Sequence, residues 1–171
     1  MIEKRQYASL NGSNIYKYIL SNKNGVKIHV INYGCAVTNM LVPDKYGEIK
    51  DIVLGFDSIE SYVNHIEHYG VVIGRNASRI SNARTILGGK HIDLYKNNGN
   101  HHLHGGKEGF DKKIWDSIIE GNSVIFEYLS PDGEENYPGD LKAQVKYTLD
   151  ENNNFTLEYT ANTNKETACN L

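Results

Sequence analysis

Alternation dominates this chain. From Leu141 to Leu149, LKAQVKYTL sets Leu141, Ala143, Val145, Tyr147 and Leu149 on one side and Lys142, Gln144, Lys146 and Thr148 on the other. FTLEYTA, residues 155–161, repeats the pattern with Phe155, Leu157, Tyr159 and Ala161. A period of two over such lengths marks a strand with one buried face, and the DENNN between them reads as a hairpin turn. Further strands are expected over 15–20, 26–33, 37–42, 49–54, 114–119 and 123–129. Turn punctuation separates them, including Asn24-Gly25, Tyr46-Gly47, Gly88-Gly89 and Pro131-Asp132-Gly133. One segment has a different period. DSIESYVNHIEHY carries apolar residues at 59, 62, 63 and 66, the spacing of one helical face, and Asp57 with Glu60 resembles a capping box. The pattern as a whole predicts an all-β sandwich over residues 1–171 with one short helix near 57–68.

Composition changes this picture little. Of 171 residues, 39% are hydrophobic and 23% charged, as in an ordinary globular domain long enough for one sizeable core. A net charge of -3 offers no basic field for a polyanion, so nucleic acid is not expected as a partner. No apolar run approaches the ~18 residues of a membrane span, and MIEKRQYASLNG lacks the apolar stretch of a secretory signal. The two cysteines, Cys35 and Cys169, stand far apart among small or apolar neighbours. They are expected as buried free thiols, which suits a reducing, cytoplasmic setting. The ending ETACNL follows a strand with no turn or polar tail, and reads as an interrupted domain.

Candidate chemistry lies in NNGNHHLHGGKEGFDKKIW, residues 97–115, where His101, His102 and His104 crowd together before two glycines. Zinc sites draw on separated ligands, whereas here 102 and 104 share a face, 101 points away, and no Cys or Asp stands at ligand spacing. No metal is therefore expected. His101 and His102 read as loop surface. His104 is singled out because Gly105 and Gly106 allow positive φ or a close approach of backbone to a bound molecule. Imidazole also exchanges protons near neutral pH. In IGRNASRIS, residues 73–81, Arg75 and Arg79 are an even number apart and would share a side of an extended segment, with donors suited to a polyhydroxylated or anionic ligand.

These stretches resemble the aldose 1-epimerase, or galactose mutarotase, family. GRNASRI is similar to GRxANRI, NNGNHHLHGGKEGFDKKIW to N-x-LHGG-x-x-GFDKxxW, and SPDGEENYPGDLKAQVKYTL to SPDGEEGYPGxLxxxVxYxL. The closing FTLEYTANTNKETACNL looks like the strand that leads to TPxNLTNHxYFNL. The resemblance implies a β-supersandwich and a cofactor-free, metal-free isomerase that interconverts the α and β anomers of free aldohexoses such as galactose or glucose. One group protonates the ring oxygen while another removes the anomeric proton, and the ring opens and recloses. Carried over by position, Arg79 would grip sugar hydroxyls, His104 would hydrogen-bond near the reacting oxygens, and Ser78 stands where the family has asparagine. The family's general-acid histidine would follow Leu171, and its general-base glutamate lies further on. Glu134 and Glu135 match other positions. The resemblance thus implies a chain inactive alone, prone to self-association or needing a complementing C-terminal half. Two alternatives stay open: a non-catalytic carbohydrate-binding module, and a hexose-6-phosphate epimerase to which Arg75 and Arg84 could offer charge.

Overall fold

The computed structural model describes residues 1–64 and 66–171. Successive hairpins build the first sheet from β1 (Ile2–Leu10), β2 (Ser13–Ser21), β3 (Lys27–Ile31), β4 (Val37–Pro43) and β5 (Ile49–Asp51). These strands are antiparallel neighbours in chain order. After α1 (Ile59–Asn64) come four short strands, β6 (Arg79–Ile80), β7 (Arg84–Leu87), β8 (Lys90–Asp93) and β9 (His102–Leu103), in which β6 pairs with β9 around the β7–β8 hairpin. The second sheet runs β10 (Asp116–Glu120), β11 (Ser123–Ser130), β12 (Leu141–Leu149) and β13 (Phe155–Thr163), again antiparallel in chain order.

The two sheets close on one core. Tyr18, Leu20, Ile28 and Val30 from the first meet Val124, Phe126, Val145 and Tyr147 from the second. Tyr18 and Phe126 cross edge to face with centroids 5.3 Å apart, and the Tyr147 hydroxyl donates to the Cys35 carbonyl at 2.8 Å. The opposite side of β2 and β3 also carries apolar residues. Ile15 and Ile31 cluster there with Ile59 and Tyr62 of α1, giving the first sheet two covered faces. The all-β architecture read from alternation is the one observed.

Boundaries differ where side chains face water. β12 matches its expected span, whereas of the strand expected over 49–54 only Ile49–Asp51 pairs, with β4, and the apolar Ile52 and Leu54 beyond it are exposed. β1 escaped the pattern because its face is mostly exposed and a bulge between Gln6 and Ala8 breaks the alternation. The helix is shorter than 57–68. Its cap is Ser58, whose hydroxyl accepts from the Ser61 amide at 3.3 Å, rather than Asp57. Ile66 is exposed, and His65, inside the expected span, lies outside the described residues. Both cysteines are free as expected, but only Cys35 is buried.

At the end of the second sheet, β13 turns Leu157 and Tyr159 toward the core face opposite buried Tyr147 and Val145, yet they stay 38% and 45% exposed. Arg75 shows the converse, a charged side chain that is almost wholly buried. Its Nε donates to the Ser130 hydroxyl at 2.8 Å. One terminal amino group reaches the carbonyls of Pro138 and Gly139 and the Thr167 hydroxyl, and the other the carbonyls of Ser130 and Pro131. Every proton of the guanidinium is thus used inside the protein.

Arg75→Ala should lower unfolding free energy by ~3–5 kcal/mol, because it strands a set of buried oxygens. Arg75→Lys, with three donors in place of five, should recover only part of that loss. Urea unfolding of the two variants beside the parent chain is the measurement.

Candidate functional site

Three loop segments converge beside the β6–β9 pair, each pinned by main-chain bonds. The 66–72 segment is held where Val37 donates to the Gly70 carbonyl at 2.9 Å and Val72 to the Gly34 carbonyl at 2.8 Å. In the 97–109 loop, the Asn97 side chain accepts from the Leu103 amide and donates to the carbonyls of Leu103 and Gly106. Phe110 donates to the Gly74 carbonyl at 3.2 Å, and the turn it starts, Phe110–Lys112, sets Asp111 against the cavity. The Glu135 carboxylate completes the frame by accepting from the Lys107 and Glu108 amides at 3.0 and 2.9 Å.

His104 is the centre of this assembly. Its amide donates to the Ser78 carbonyl at 3.0 Å, and its Nδ1 accepts from the Ser78 amide at 3.1 Å. An acceptor Nδ1 carries no proton, so neutral His104 bears its proton on Nε2 and presents a donor. Burial lowers its pKa below 6.5, the neighbouring His68 and Arg79 add to that, and Asp111 opposes them. Next to Ser78, Arg79 opposes Leu103 in the β6–β9 ladder. Its Nε donates to the Asn98 Oδ1 at 3.2 Å, and its terminal amino groups have no partner among the described residues. The fold therefore brings His104, Ser78 and Arg79 to one place, with Ser78 acting through its main chain. Beside them is a cavity of about 460 Å³ whose lining includes His68, Asn97, Asn98, Leu103, Lys107 and Asp111 but not His104, Ser78 or Arg79. That volume falls within the ~300–1,000 Å³ of small-molecule sites.

The structure departs from the sequence reading at several residues. His102 is fully buried rather than loop surface. Its Nδ1 lies 2.7 Å from the Tyr95 carbonyl, an obligate acceptor, so it donates there, and its Nε2 accepts from the Tyr137 hydroxyl at 2.6 Å. His101 is half-buried, and its Nδ1 accepts from the Asn82 amide. Arg75 and Arg79 do not share a side, since the first is buried and the second exposed. The glycines after His104 do take positive φ, +85° and +103°, but the close approach is to the protein itself. A Cβ on Gly105 would overlap the Gly74 carbonyl oxygen, and one on Gly106 would strike the Glu135 carboxylate.

Two residues at the cavity are not singled out by the sequence as ligand contacts, Asp111 being set aside only for want of metal-ligand spacing. Exposed His68 donates through Nδ1 to Oδ2 of the buried Asp111 at 3.1 Å, and its ring centre is 5.0 Å from that of His104. Asp111 sits in the GFDK stretch and could have been found there, whereas His68 fell within the supposed helix with nothing to mark it. A second hollow, about 540 Å³, lies at the β7–β8 hairpin against Arg84, His91 and Lys96. There Arg84 is already engaged by Asp93 at 2.7 Å. Among the described residues no helix is long and apolar enough to cross a membrane.

A model of the aldose 1-epimerase family matches residues 16–171. The chain belongs to the aldose 1-epimerase family. It is 40% identical over 162 residues to the galactose mutarotase of Bos taurus, covering 95% of this chain and 47% of that protein. It is 35% identical over 172 residues to the aldose 1-epimerase of Haemophilus influenzae, covering all of this chain and 50% of the other. The crystal structure of a galactose 1-epimerase from Lactobacillus acidophilus superposes with a TM-score of 0.86 at 29% identity, over 98% of this chain and 50% of that one. This aldose 1-epimerase family member thus spans about half the length of the curated relatives it matches.

The geometry has two measurable outcomes. Followed by NMR, His104 should titrate below 6.5. Because its folded pKa is depressed, stability from this group is complete above 6.5 and is lost as pH falls through the folded value. Protonation of Nδ1 also breaks the bond from Ser78. Separately, Ser78 holds φ +67°, a left-handed conformation that asparagine tolerates better than serine. Ser78→Asn should raise stability by roughly 0.5 kcal/mol, part of the ~1 kcal/mol cost of that conformation, read as a higher melting temperature.

Proposed function

We propose that this chain forms the sugar-gripping part of an aldose 1-epimerase site for a free aldohexose such as galactose or glucose. The observation that carries the reading is His104 locked by Ser78 into the Nε2–H form beside the unpaired amino groups of Arg79. Sugar hydroxyls and the ring oxygen accept hydrogen bonds, and a neutral imidazole donor with a guanidinium suits them without needing an anion. Arg75 has no proton left for a phosphate, which supports an unphosphorylated ligand.

Anomer exchange needs a proton delivered to the ring oxygen and another removed from the anomeric hydroxyl. His104, with its pKa lowered, is a poor acid and serves here as a hydrogen-bond donor. The acid and base that resemblance assigns to the family have no counterpart in residues 1–171, so on this reading both come from a complementing segment. The half-exposed core face of β13 is where such a segment, or a second copy, would find apolar surface and free strand-edge groups. Free thiols favour a reducing, cytoplasmic location.

Calorimetric titration with D-galactose should give binding that His104→Ala weakens at least ~10-fold, the loss of one good hydrogen bond to a buried ligand. Polarimetry of fresh α-D-galactose with the chain alone should show only the spontaneous rate. Strong catalysis would place the acid and base within these residues, and absence of binding to any aldohexose would overturn the sugar-site reading.

A further inference from the structure

We propose that His68 is a second ligand-contacting imidazole, fixed by Asp111 to present an acceptor where His104 presents a donor. This rests on the reading of the cavity as a sugar site. The two rings lie edge to face with centres 5.0 Å apart, and His68 and Asp111 both line the cavity. Asp111 is buried, with its carboxylate Oδ2 at 3.1 Å from His68 Nδ1. A carboxylate only accepts, so the proton of neutral His68 resides on Nδ1 and its Nε2 is bare. His104 has the reverse arrangement, since Nδ1 accepts from the Ser78 amide and Nε2 carries the proton.

Neither partner of the pair is free to drift. Asp111 is set by the Phe110–Lys112 turn, whose Phe110 ring packs against Trp115 and Tyr128 and whose amide is bound to Gly74. Even the main chain is confined, because a Cβ on Gly34 would collide with the Asp111 carbonyl oxygen. His68 is two residues from Gly70, which is tied to Val37. The result is a donor-bearing ring and an acceptor-bearing ring packed edge to face beside the cavity. A hydroxyl both donates and accepts, so one sugar hydroxyl, or two on adjacent carbons, can satisfy both rings at once. An ether or a deoxy carbon in that place would leave His68 unpaired. The pair therefore reads a free hydroxyl at that position of the sugar, a selectivity that His104 and Arg79, both donors, cannot supply.

Imidazole ¹⁵N–¹H correlation spectra of the full chain test this, with His68→Gln and His104→Gln assigning the signals. Before any sugar is added, His68 should show the Nδ1–H form and His104 the Nε2–H form. Asp111→Asn, which keeps an acceptor oxygen, should preserve the His68 form, and Asp111→Ala should lose it. Adding D-galactose should shift the His68 Nε2 and the His104 Nε2–H signals together. Affinity should fall roughly 5–10-fold in His68→Gln, the worth of one hydrogen bond. A His68 ring found in the Nε2–H form overturns the inference. So does galactose that shifts His104 but leaves His68 unmoved, while the sugar-site reading survives. Galactose that shifts neither ring, with no binding by calorimetry, overturns both.

Discussion

A guanidinium removed from water is tolerable only when all of its protons find oxygen, and Arg75 meets that demand with main-chain carbonyls from both ends of the 130–139 loop. The loop is thereby fastened to the segment that leads into Ser78 and Arg79. Ser130 passes the interaction on. Its hydroxyl accepts from Arg75 and donates to Glu134, which also takes bonds from Tyr128 and Lys113. Burial alone would raise the Glu134 carboxyl, but those bonds outweigh it and hold it below its ordinary range. The neighbouring Glu135 reaches the other way, to the amides after His104. One cation thus organises a sequence of contacts that runs from the sandwich to the cavity wall.

Much of the sandwich was legible because its strands have one wet and one dry face, and β12, whose residues alternate without a break, was readable to the residue. β1 was not, since an edge strand with a bulge and mostly exposed residues carries no period. The two-residue strands β6 and β9 are set by tertiary contacts, and two residues cannot express a pattern. At the site, the motifs named His104, Ser78 and Arg79, which the fold brings together. The motifs could not say that Arg75, four residues earlier, turns inward, because inward or outward depends on oxygens 55 to 64 positions away in the chain. His102 was misjudged for a related reason: its partner Tyr137 is 35 residues distant.

Three neighbouring histidines show how completely partners decide what a side chain does. His102, buried between a carbonyl and a hydroxyl, is a structural strut joining the 95–102 stretch to Tyr137. His101 steadies the Asn82 turn through its amide. His104 is turned like His101, with Nδ1 accepting from a main-chain amide and Nε2 left as a donor, but its ring lies against that of His68 beside the cavity. An amide can only donate, so the neutral ring keeps its proton on Nε2.

The loops around the cavity hold an unusual share of left-handed residues that are not glycine: Ser78, Asn82, Ala83, His104, Glu135 and Asn136. Each is a conformation an isolated peptide would abandon, at a cost of ~1–3 kcal/mol apiece. They persist because the sandwich beneath and the bonds of Arg75 and Glu135 leave them no alternative. The cavity is consequently the most brittle part of a sturdy body. On gentle warming its loops should relax first, so that recognition fades while the β-sheet spectrum is still intact.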